Sequence, residues 1–95
     1  MQIKAMSMRR DKLKIAVEIL EICSESTNKT KIVYHTNLNF QVASKYIEML
    51  KREGLLDAEN PGPRETYITT DKGRELINYL KGIYDRFDQY ALEQS

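Results

Sequence analysis

Residues 36–56 read TNLNFQVASKYIEMLKREGLL, and the periodicity of this stretch decides the fold. Asn37-Leu38-Asn39 has the residue types of a tight turn, and the Asn39 carboxamide offers the oxygen that an N-cap needs. Beyond it Phe40, Ala43, Ile47 and Leu50 recur at steps of three, four and three, which predicts a helix with these four side chains inward and Tyr46 and Met49 supporting them. Gly54 supplies a left-handed stop, and Leu55 and Leu56 open a strand. The face opposite the apolar stripe carries Gln41, Ser44, Lys45 and Glu48.

Upstream, Leu13, Ala16, Val17, Leu20 and Cys23 recur at three- and four-residue steps, with Ile15, Ile19 and Ile22 beside them. This pattern predicts a first helix from Asp11 to about Ser24 with a broad buried stripe. Residues 24–28 are a polar break, and Lys29 to Thr36 form a short second helix with Ile32 and Val33 inward. Downstream, DAENPGPRE at 57–65 contains Pro-Gly-Pro, which reads as a loop between strands. Thr66 to Thr69, with Tyr67 and Ile68, is the returning strand. The fold class is therefore mainly α with a small β-hairpin, in the order helix, helix, helix, strand, wing, strand, helix: the winged helix-turn-helix arrangement.

Thr70 is positioned to cap a last helix from Asp71 to about Glu93. Leu76, Leu80, Ile83, Phe87 and Tyr90 are spaced as a heptad seam, and Ile77, Tyr84 and Ala91 widen it. A helix of about 20 residues is roughly 30 Å long and outreaches the domain it leaves. Its far end needs a partner, and the same helix of a second chain is the expectation; the alternative is that it folds back on its own domain. The chain thus divides into an N-terminal arm (1–8), a winged-helix domain (9–70) and a dimerisation helix (71–95).

Composition agrees with one soluble domain: 95 residues, 41% hydrophobic and 31% charged. No apolar run approaches the roughly 18–20 residues needed to cross a bilayer, and MQIKAMSMRR has no signal-peptide core, so a cytoplasmic protein is expected. The net charge of +1 hides an asymmetry. Residues 1–36 hold seven Lys/Arg and four Asp/Glu, whereas 57–69 hold one and three. One histidine and one cysteine cannot build a zinc set, no nucleophile-base spacing or phosphate-cradling glycine loop is present, and no cofactor is expected. An enzyme is not expected. Cys23, on the apolar face of the first helix, reads as core rather than as a reactive thiol.

The run KTKIVYHTNLNFQVASKYIEMLKREGLL (29–56), followed by YITTDKGRELINYL (67–80), resembles the archaeal winged-helix family of small DNA-binding regulators. The shared pattern is Lys-Thr-x-Ile, then Asn-Leu, then an aromatic and a Tyr-Ile-x-x-Leu helix ending in Gly-Leu, and a Tyr-x-x-Thr-x-x-Gly join; it covers about residues 12–92. The resemblance implies a homodimer through antiparallel C-terminal helices, with two reading heads at opposite ends, and double-stranded DNA as partner at the nucleoid. A parallel pairing would set the heads side by side. The chain departs from the family in having Ala43 where a larger aliphatic is usual, and only one basic residue in its wing.

Within that frame the outward face of the third helix becomes the base-reading candidate: Gln41, Val42, Ser44, Lys45 and Glu48. Gln can read adenine, Lys reaches guanine acceptors, Ser approaches base or phosphate, Val touches a thymine methyl, and Glu accepts from a cytosine amine. Phosphate-contact candidates are Arg9 and Arg10 ahead of the first helix, Lys29, Thr30 and Lys31 at the start of the second, Asn37 and Asn39 at the turn, and Arg64 in the wing. Sequence-specific transcriptional regulation is the leading expectation. A sequence-tolerant chromatin protein and a protein-interaction adaptor without DNA binding are the alternatives.

Overall fold

The computed structural model describes residues 12–94, with side chains described from Lys12 through Phe87. Seven elements follow in order: α1 (Lys12–Ile22), β1 (Thr27–Asn28), α2 (Lys29–Thr36), α3 (Phe40–Arg52), β2 (Leu56–Glu59), β3 (Thr66–Thr69) and α4 (Asp71–Gln94). The expected helices and hairpin are present. One element was not expected: β1, drawn from the polar break, pairs antiparallel with β3 (Thr27 opposite Tyr67, Asn28 opposite Thr66), making a three-stranded sheet of order β1-β3-β2. The hairpin register sets Leu56 opposite Thr69 and Glu59 opposite Thr66.

The core follows from the helix stripes. Ile15, Ile19, Leu20 and Cys23 of α1 and the turn after it meet Ile32 of α2, Ile47 and Leu50 of α3, and Leu55, Leu56 and Tyr67 of the sheet. Ala43 is fully buried, so its small side chain lies at close helix packing. Two expectations fail for one reason. Leu13 (47% exposed) and Phe40 (54% exposed) belong by spacing to their helices' apolar stripes, but each lies in the first turn of its helix and outside the core cluster of the described residues. Val33 is only half-buried.

Helix ends are built as the residue types require. Asn39 caps α3, its Oδ1 accepting the Val42 N–H at 2.8 Å, and Asn37 ends α2 in the left-handed conformation (φ 61°). Asn28 is a further N-cap, accepting the Lys31 N–H at 2.8 Å at the start of α2.

The join of sheet to α4 is tied by threonines. The buried Thr69 hydroxyl donates to the Leu20 carbonyl at 2.6 Å, and its amide donates to the Cys23 carbonyl at 2.9 Å, linking α1 to β3. Arg74 reaches back to the Thr69 carbonyl at 3.0 Å and pairs with Asp71. Ile77 of α4 then enters the core, Leu76 packs partly against it, and Lys81 pairs with Glu21 of α1 at 3.0 Å.

Candidate nucleic-acid interface

At about 100° per residue, burial of Ala43, Ile47 and Leu50 turns Gln41, Lys45, Glu48 and Arg52 to the opposite side of α3. All four are exposed. Arg52 completes the row at steps of four, three and four; the same spacing that places Lys45 reveals it, although reasoning from the helix's N-terminal turns alone passes it over. Ser44 lies on the flank nearer the wing and Val42 on the other, both half-buried. The five base-reading candidates therefore divide into an outward row of Gln41, Lys45 and Glu48 and two flanking residues.

Charge pairing sorts the row further. Glu48 lies 3.5 Å from Lys51, which is also 3.9 Å from Glu65 at the base of the wing. This cluster turns Glu48 toward the wing side. With burial as the larger cause, the Glu65 and Glu48 carboxylates push the Tyr67 phenol above its usual value. Within the described residues Lys29, Lys31, Lys45, Arg52 and Arg64 form no ion pair, unlike Lys51, Arg74 and Lys81.

The phosphate candidates fall into two groups. Asn28 occupies the Lys31 amide, which leaves the amides of Lys29 and Thr30 at the start of α2, where the helix dipole favours an anion. Lys29 and Thr30 share a groove of about 480 Å³ with Phe40 and with Gly62 to Tyr67, so α2, α3 and the wing meet there, and Arg64 belongs to the same wall. Asn39 accepts with its carboxamide oxygen at the α3 cap, and its NH2 group is the donor left for a phosphate. Asn37 is exposed at the turn. Arg9 and Arg10 lie outside the described residues.

The wing is acidic. Asp57 and Glu59 are exposed on β2, and Glu59 accepts from the Ser26 hydroxyl at 2.8 Å. Its tip turns through Asn60 (φ 53°) and Gly62 (φ 116°).

The candidate dimer residues split between two faces of α4. Ile77 is buried in its own domain, and Tyr84 lines a shallow surface with Val17 and Glu18 of α1. Leu76, Leu80, Ile83 and Phe87 lie on an adjacent face, with Phe87 67% exposed and Tyr79 beside them 68% exposed. The side chains of Tyr90 and Ala91 lie outside those described.

Cys23 is fully buried, and burial pushes its thiol up to about 12, the behaviour of a core thiol. Among the described residues no group of three or more His, Cys, Asp or Glu is placed to hold a metal ion, and no helix is long and apolar enough to cross a membrane.

The sequence pattern described as winged helix-turn-helix matches residues 9–87. An uncharacterized protein of Methanocaldococcus jannaschii, MJ0287, is 30% identical over 78 residues, covering 81% of this chain and 76% of that protein. The crystal structure of Sso10a-2, a DNA-binding protein from Sulfolobus solfataricus, superposes with a TM-score of 0.76 at 28% identity, covering 90% of each chain. A homodimeric winged helix-turn-helix DNA-binding domain from Mycobacterium bovis, solved in solution, shares the fold at a TM-score of 0.66 and 23% identity, covering 75% of this chain and 68% of that one.

Proposed function

The chain belongs to the winged helix-turn-helix family, and on that premise we propose that it is a sequence-specific DNA-binding transcriptional regulator acting as a homodimer. One observation carries the reading: the outward row of α3 presents Gln41, Lys45 and Arg52 exposed, with both cations free of ion pairs among the described residues, opposite a fully apolar buried face. Such a row suits the major groove, where Gln pairs with adenine and Lys or Arg with guanine. The start of α2 and Arg64 grip phosphates on either side. The kinship with a DNA-binding protein of S. solfataricus supports the same partner.

The second chain docks on the Leu76, Leu80, Ile83 and Phe87 face of α4. A helix of 24 residues is about 36 Å long, so an antiparallel pair carries the two reading heads at opposite ends, and half-sites are spaced to match. The protein then works in the cytoplasm at the nucleoid.

Selection of duplexes from a random pool by the purified protein at about 150 mM salt tests this reading, because nonspecific contacts are weakened there. A shared motif with two half-sites is expected. Binding without a motif would mean a sequence-tolerant chromatin protein. Absence of binding at low salt would overturn the DNA reading and favour a protein-interaction adaptor, the second reading, which the exposed carboxylates of Asp57 and Glu59 on the wing fit better than they fit a phosphate backbone.

A further inference from the structure

Phe40 is the first residue of α3 and is 54% exposed, although its spacing aligns it with the core stripe. Its side chain lines the groove shared by Lys29 and Thr30 of α2 and by Gly62, Pro63, Arg64 and Glu65 of the wing and its base. Among the described residues Phe40 is not part of the core cluster, which α3 enters through Ile47 and Leu50 with Tyr46 and Met49 packed against it.

We propose that Phe40 is a specificity-determining residue that contacts the 5-methyl group of thymine at the wing-side edge of the DNA footprint. The inference rests on the DNA-binding reading above. The groove's chemistry selects the occupant: Lys29 and Arg64 flank an apolar ring, and the carboxylate in the same lining, Glu65, is paired with Lys51, which suits a polyanion that also carries an apolar feature. The Phe40 ring has no hydrogen-bonding nitrogen or oxygen. The other base-edge groups in the major groove (N7, O6, O4 and the amines of adenine and cytosine) are polar, so the thymine methyl is the one that an aromatic ring complements. Position agrees, because the N-terminal residues of a recognition helix are the ones that reach base edges. Val42, the apolar candidate for such a contact by sequence, is half-buried on the opposite flank of α3.

The test compares two random-sequence duplex pools of one length, one with thymine and one with deoxyuridine throughout, bound by the wild-type chain and by Phe40→Ala and Phe40→Leu at one salt concentration. Burial of a single methyl group is worth about a fourfold preference per half-site for thymine in the wild type. Phe40→Ala removes that preference while still binding both pools, and Phe40→Leu keeps part of it. Because Phe40 is half-exposed and outside the core, both variants are expected to fold as the wild type does. Equal wild-type affinity for both pools overturns the role of Phe40 and leaves DNA binding standing. A thymine preference that survives Phe40→Ala assigns the methyl contact to another residue and equally overturns it. Failure of the wild type to bind either pool overturns the DNA reading itself, and this inference with it.

Discussion

The hydroxyl of Thr70 accepts the Gly73 N–H at 3.0 Å, so Thr70 caps α4 through the residue that lets α4 approach the sheet. The same hydroxyl donates to the Gly54 carbonyl at 2.7 Å, at the left-handed stop of α3. The Thr70 amide donates to the Leu55 carbonyl at 3.1 Å, and Lys72 reaches the Glu53 carbonyl at 2.8 Å. One short segment therefore fixes where α3 ends, where the wing begins and where the long helix departs.

Gly73 is the tightest point of this join. A Cβ there would lie 2.5 Å from the Leu55 carbonyl oxygen and 2.6 Å from Thr69 Cγ2, and the first of these is backbone that cannot swing aside. Gly73→Ala is expected to destabilise the fold by about 1–3 kcal/mol in urea unfolding. Gly82, on an open face of the same helix, has nothing within 4 Å of its Cβ position, so Gly82→Ala is expected to stabilise by up to about 1 kcal/mol. Equal effects of the two substitutions would refute the close approach.

Alkaline pH should weaken the fold through Cys23. Its thiol titrates at about 12 when folded against an ordinary 9.0, so from about pH 9 upward the unfolded chain releases a proton that the folded chain keeps. The contribution is intact below pH 9 and is lost progressively to about pH 12, at up to about 1.4 kcal/mol per pH unit. Tyr67, also raised by burial, acts in the same direction above its ordinary 10.0. Urea midpoints measured between roughly pH 8 and 11 should fall, and Cys23→Ala should flatten the curve between about pH 9 and 10. An unchanged slope in that variant would mean that Cys23 does not set the alkaline limit.

Much of this was legible in the sequence, because α1, α3, α4 and the hairpin are long or strongly patterned, and the caps at Asn39 and Thr70 are residue types with a stated backbone role. The unexpected parts have physical causes. β1 is two residues long, too short for any period, and becomes a strand only because the edge of β3 is there to pair with it. Phe40 and Leu13 obey the helix period, but period describes direction and not coverage. Within the candidate interface, periodicity found Gln41, Lys45 and Glu48, whereas the Lys51 link from Glu48 to Glu65 depends on where the wing folds. The broad α4 stripe of Leu76 to Ala91 could not be divided between own core and free face before α1 was placed against Ile77 and Lys81.

Dimerisation through α4 predicts a clean separation of assembly from folding. Ile83→Glu and Phe87→Glu place a charge on the free face and leave Ile77 in the core. Sedimentation equilibrium should show a mass of twice 11.1 kDa for the wild type and of one chain for the variants, with unchanged helicity of the winged domain. A monomeric wild type, or variants that still pair, would place the second chain elsewhere or remove it.

Phosphate and base recognition should separate in salt titrations. Lys29→Ala, Lys31→Ala and Arg64→Ala are each expected to weaken binding to all duplexes alike. Each should also reduce the slope of log K against log salt by about 0.9 for every phosphate that the missing cation neutralised in the two halves of the dimer. A loss of affinity confined to one DNA sequence would instead make that residue a base reader.

Reading of sequence by the outward row of α3 is tested most directly by the affinity of the wild type and of Gln41→Ala/Lys45→Ala for a selected duplex and its scrambled counterpart at about 150 mM salt. Each base contact is worth roughly 1–3 kcal/mol of discrimination. The double variant is expected to lose most of the preference for the selected duplex and to keep the weak, salt-sensitive binding to the scrambled one. A preference unchanged by the double substitution would contradict the role of α3 as the reading helix.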